Sequence, residues 1–141
     1  MSAGVDITDV NADTRSPRTA RAVGVSAAFA AVAGFVLWPP RAVYWTAAAA
    51  AVGTVATLAL VALAALALGA AFGSATGVDG RAFAAGTAVA YVAGMAAIEV
   101  VVSPDGPAHL VLYGGIAACL VAGVGAARVR SLISVRPLGR V

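Results

Sequence analysis

The chain has 141 residues, of which 62% are hydrophobic and 11% charged, against roughly 45–50% and 25% in soluble domains. That balance excludes an ordinary soluble domain, and the length fits a single domain. The net charge is +3 and every basic residue is Arg. The arginines flank apolar runs instead of gathering on one folded face, which argues against nucleic acid as a partner.

Residues 1–19 carry Asp6, Asp9, Asp13, Arg15 and Arg18 among Ser, Thr, Asn, Gly and Pro. Without apolar periodicity they read as a disordered cytoplasmic tail. A first apolar segment follows at about 22–38. Arg21 precedes it and Trp38-Pro39-Pro40-Arg41 closes it, because proline lacks the N–H that continues a helical ladder. A signal peptide fits less well, since the run ends in Trp-Pro-Pro and not in a small-residue cleavage site.

The run from Ala42 to Val78 contains no charged residue. A helix that is apolar all round needs a large core or lipid around it, and a chain this small has no such core. The spacing predicts one helix over about 46–72, with Tyr44 and Trp45 as interface anchors. Such a helix would be about 40 Å long, so tilt or protrusion from a ~30 Å hydrocarbon layer is expected. Gly77-Val78-Asp79-Gly80 reads as a turn, with Asp79 placed to cap the next helix. That third segment covers about 82–102. Ser103-Pro104-Asp105-Gly106-Pro107 is a second turn, and the fourth segment covers about 108–127. Residues 129–141 read as a basic cytoplasmic tail.

The expected fold is therefore all-α: an integral membrane bundle of four transmembrane helices spanning residues 20–128. An even number of crossings puts both termini on one side. Arg15, Arg18, Arg21, Arg81, Arg128, Arg130, Arg136 and Arg140 fall on that side and only Arg41 on the other. The positive-inside rule makes the arginine-rich side cytoplasmic in a cell membrane. Trp38, Tyr44, Trp45 and Tyr113 then form an outer aromatic belt.

Helices in lipid associate by close approach at small residues. Gly69, Gly73 and Gly77 form such a ridge on segment two, Gly86 and Gly94 on segment three, and Gly115 and Gly123 on segment four. They are expected to serve mainly packing within the chain, with an oligomer interface as the other use. Thr46, Thr54 and Thr57 are expected to bond carbonyls one turn back.

Glu99 is the one carboxylate inside an apolar segment. It lies 16 residues beyond Phe83, roughly 24 Å along the helix and just below the outer interface. Intramembrane ionisable groups are functional candidates by default. Its expected partners are His109, the only histidine, or Arg41. A snorkelling side chain is the plainer reading. A metal site built from Glu99, Asp105 and His109 matches no established ligand spacing. The lone Cys119 excludes an intramolecular disulfide. Phosphate-loop and HExxH motifs are absent, so no cofactor and no enzymatic activity is expected.

In outline, a four-helix chain of this size resembles small multidrug exporters and dimeric fluoride channels. The exporters carry a membrane-embedded Glu in their first helix, whereas segment one here has no carboxylate. The channels use Asn and paired Phe within the spans, whereas this chain has no Asn after Asn11. The expected function is that of a non-enzymatic accessory or structural subunit, working with lipid and with other membrane subunits or with itself. The alternative is a small homodimeric transporter or channel with Glu99 as its proton- or cation-binding group.

Overall fold

The structure, a computed structural model, describes residues 16–102 and 106–134. The described residues contain no strand and form five helices: α1 Ser16–Leu37, α2 Ala42–Val52, α3 Thr54–Thr76, α4 Gly80–Val101 and α5 Ala108–Ser134. Four of them, all but α2, are long and apolar enough to cross a membrane.

Local chemistry sets most helix ends. The Trp38 N–H bonds the Gly34 carbonyl at 2.8 Å, and Pro39 and Pro40 then end α1. Gly77 closes α3 in the left-handed region at φ 61° and donates to Gly73, a conformation open to glycine without a Cβ clash. Asp79 caps α4 with one carboxylate oxygen that accepts from Arg81 N–H at 3.0 Å and Ala82 N–H at 3.3 Å.

Three boundaries differ from the expected ones. The run expected as one helix over 46–72 is broken at Gly53, whose φ of 87° and ψ of 150° lie in a region essentially reserved for glycine. The break shortens the excess length, leaving a 23-residue α3 of about 35 Å. Segment four does not stop at Ala127. Helix α5 continues through Arg128 and Arg130 to Ser134, so the first part of the expected basic tail is helical. Helix α1 begins at Ser16, inside the expected N-terminal tail. Residues 1–15, the turn residues 103–105 and residues 135–141 lie outside the described residues.

Nothing lies within 4 Å of a Cβ placed on Gly53, so Gly53→Ala meets no steric neighbour and costs backbone strain alone. The expected loss is about 1–3 kcal/mol, measured by unfolding in detergent.

The four long helices associate as two close pairs, α3 with α5 and α1 with α4, while the contacts between pairs are sparser. Glycine explains the pairing. A Cβ on Gly69 would strike the Leu120 backbone, and one on Gly123 would strike the backbone of Leu66 and Ala70. A Cβ on Gly86 would meet Ser26 Cβ at 2.6 Å and Ala27 N at 2.8 Å. Backbones approach this closely only where no side chain intervenes. Phe29, Phe72 and Phe83 bridge the two pairs, with Phe29 and Phe72 stacked at a centroid distance of 4.1 Å.

Candidate functional site

The described ionisable groups separate to the two ends of the helices. Arg18, Arg21, Arg81, Arg128 and Arg130 lie near the start of α1, the α3–α4 turn and the end of α5. Arg41, Glu99 and His109 lie at the opposite, aromatic end.

At the arginine end, Asp79 is the organising group. Besides capping α4, it pairs through its other oxygen with Arg128 Nη1 at 3.3 Å. Arg128 Nη2 donates to the Val78 carbonyl at 2.6 Å. The guanidinium therefore ties the α3–α4 turn to α5. The capped Ala82 N–H, aided by Arg81 N–H and the Arg128 charge, outweighs desolvation and holds the Asp79 carboxyl below its ordinary value of 3.8. A lowered carboxylate value stabilises the folded state above the ordinary value and is lost as pH falls through the lowered one. Acidification below the ordinary carboxylate range should therefore fray the first turn of α4. The expected sign is faster amide exchange at Arg81 and Ala82. Asp79→Asn, which keeps a capping oxygen, should remove that acid dependence.

At the aromatic end, Trp38 and Trp45 stack with centroids 3.3 Å apart and planes 5° from parallel. Trp45 Nε1 donates to the Pro39 carbonyl at 3.0 Å. The Tyr113 hydroxyl, from α5, donates to the Trp38 carbonyl at 2.5 Å. This satisfies a backbone acceptor that lies past the last turn of α1 and has no helical donor. Tyr91, from α4, donates to the Leu110 carbonyl at 3.0 Å. The two tyrosines thus fasten α5 to the end of α1 and to α4. The expected stripe of Tyr91, Met95 and Glu99 follows one side of α4 but divides by role: Met95 is buried, Tyr91 makes a structural bond and Glu99 is exposed.

Glu99 and His109 meet. His109 Nε2 lies 3.1 Å from Glu99 Oε1, with the imidazole side chain 13% exposed and the carboxylate side chain 54% exposed. His109 Nδ1 lies 3.0 Å from the Gly106 carbonyl oxygen. Arg41, the other expected partner, is exposed at the N-terminus of α2 and takes no part in the two ion pairs among the described residues. Asp105 lies outside the described residues, and no group of three metal-ligating side chains occurs among those described.

The expected packing glycines have different surroundings. Gly69, Gly73, Gly86 and Gly123 all face a neighbouring helix. Gly77 is the α3 cap, and nothing lies within 4 Å of a Cβ built on Gly77, Gly94 or Gly115. Gly34 makes room for the ring of Tyr113, and Gly114, absent from the expected set, makes room for that of Tyr91. The signal for Gly114 in the sequence was a tyrosine on a facing segment. Thr57 and Ser26 bond carbonyls one turn back at 2.9 and 2.7 Å, and Thr46 bonds the Val43 carbonyl.

No protein-family model, curated protein or solved structure matches the chain.

Proposed function

We propose that this is an integral membrane protein with four crossings, both chain ends on the cytoplasmic side, acting as a non-enzymatic accessory or structural subunit of a larger membrane assembly. The observation that carries the reading is the outer surface. Large apolar side chains stand exposed on every long helix, among them Val36 on α1, Val55 and Leu63 on α3, Val92 and Val100 on α4, and Val111 on α5. Water opposes such a surface, whereas lipid tails accept it. The arginine end belongs at the cytoplasmic face by the positive-inside rule, and the stacked tryptophans at the outer one.

The subunit reading rests on what the polar groups and glycines do. The hydroxyls of Tyr91 and Tyr113 fasten one helix to another, while those of Ser26 and Thr57 close on their own helix. Gly94 and Gly115 keep small, open positions free of intrachain packing, which suits close approach by another helix.

Gentle extraction from the native membrane, followed by cross-linking and mass spectrometry, tests this. Resistance to alkaline extraction and recovery with other membrane proteins at fixed stoichiometry is the expected result. Release by alkali would overturn the membrane reading. A homodimer that drives ion flux in liposomes would overturn the subunit reading in favour of a transporter.

A further inference from the structure

We propose that Glu99 and His109 form a binding site for one proton, held between the two side chains and tying the end of α4 to the start of α5. The Gly106 carbonyl oxygen, 3.0 Å from His109 Nδ1, only accepts hydrogen bonds, so Nδ1 carries a hydrogen. A neutral imidazole protonated at Nδ1 has a bare lone pair at Nε2. That atom is buried, has no aligned hydrogen-bond partner, and faces Glu99 Oε1 at 3.1 Å. Two lone pairs at this separation repel. One proton removes the conflict, either as imidazolium with carboxylate or as imidazole with carboxylic acid. Both forms contain the same number of protons, so occupancy belongs to the pair and not to either residue.

The same geometry defines the route of exchange. Nε2 has no open surface, whereas the Glu99 side chain is 54% exposed. A proton from water therefore reaches the site through the carboxylate and leaves the same way. When it leaves, two acceptors face each other with a net charge of −1, and the tie between Glu99 and His109 is lost, leaving the Tyr91–Leu110 bond to hold α4 to α5 at this end. Among the described residues, the other ionisable groups near this end are Arg41 and Tyr44 of the α2 region, both exposed, and Tyr91 and Tyr113, whose hydroxyls are held by the Leu110 and Trp38 carbonyls. Helices α1 and α3, which pack against α4 and α5, bring no ionisable side chain to this end.

The pair is well suited to direct observation, because Glu99 is the only glutamate and His109 the only histidine of the chain. Full-length protein in lipid nanodiscs, labelled with 13C-glutamate and 15N-histidine, gives one signal for each partner across a pH series. The expected result is a neutral imidazole with its hydrogen on Nδ1 and, once the proton is bound, an Nε2–H signal shifted downfield by the Glu99 carboxylate. A neutral imidazole with its hydrogen on Nε2 would overturn the site. In Glu99→Gln that downfield shift should be lost while helix content is unchanged. An Nε2–H signal identical to that of the unaltered chain would also overturn it. The labelled wild-type spectra decide the matter by themselves if the variant does not fold.

Discussion

Gly69→Ala and Gly123→Ala should each force α3 away from α5 and destabilise the protein by about 1–3 kcal/mol or more, whereas Gly94→Ala and Gly115→Ala should change stability by no more than ~0.5 kcal/mol. All four substitutions add the same methyl group to a helical glycine. They differ in what that methyl meets. At Gly69 it meets the Leu120 backbone, with the carbonyl carbon 2.9 Å away, and at Gly123 it meets Ala70 N at 2.8 Å. Backbone atoms have no rotamer to escape into, so the helices themselves must part. In the proposed lipid setting no hydrophobic force pulls helices together, so packing is the main attraction and its loss is costly. Gly73→Ala should rank between the two groups, because its nearest contacts are Val124 Cα and Cγ1 at 3.2 Å, and a few tenths of an ångström relieve them. Unfolding of the detergent-solubilised protein, followed by circular dichroism, measures the order. Equal losses at Gly69 and Gly94 would show that the α3–α5 seam is not formed as described. If Gly115→Ala leaves the isolated chain stable but abolishes co-purification of partners, then the open face of α5 is where they dock.

The contrast among these glycines also shows how far the sequence could be read. The long helices were legible because each is an apolar run of the length and composition that a membrane crossing requires. The Trp38-Pro39-Pro40 stop and the Asp79 cap were legible because proline and an N-cap carboxylate act through neighbours in the chain. The break at Gly53 was not. Ala51-Val52 precede it and Thr54-Val55 follow it, all of them residues that also occur inside apolar helices, so nothing local separates a helical glycine from one at positive φ. The continuation of α5 was obscured by charge. Arg128 and Arg130 end the apolar run, but arginine is a good helix former and the ladder continues wherever its heads reach water or a carbonyl. Which glycines pack was equally hidden. Spacing by four aligned Gly69, Gly73 and Gly77 on one ridge, but rotation of the helix decides which way the ridge faces, and Gly77 instead ends the helix. The position of Glu99 near the aromatic end was legible from residue counting. Its partner was not, since Arg41 and His109 share that end and only the placement of α5 beside α4 brings one of them within 3.1 Å.

Phe83→Ala should loosen the contact between the two helix pairs while leaving each pair intact. Phe83 is fully buried. It meets Phe72 of α3 at a centroid distance of 5.4 Å and Phe29 of α1 at 6.2 Å. It is thus the α4 member of a three-ring cluster that joins α1 and α4 to α3. In a water-soluble core such a truncation costs about 3–5 kcal/mol, combining the transfer of apolar atoms with an unfilled cavity. On the proposed membrane reading the transfer part falls away, because the separated surfaces meet hydrocarbon and not water. The expected loss is therefore smaller, about 2–3 kcal/mol, and made of lost packing. Phe83→Leu should recover most of it, falling short by the ring–ring contacts, about 0.5–1.5 kcal/mol each. Two measurements separate this variant from the glycine series. Cross-linking between cysteines on α1 and α3 should weaken in Phe83→Ala, and cross-linking between α3 and α5 should persist, because the Gly69 and Gly123 contacts do not involve the ring. The reverse pattern is expected of Gly69→Ala. A common loss of both cross-links in both variants would mean that the four helices form one cooperative unit, with no division into pairs.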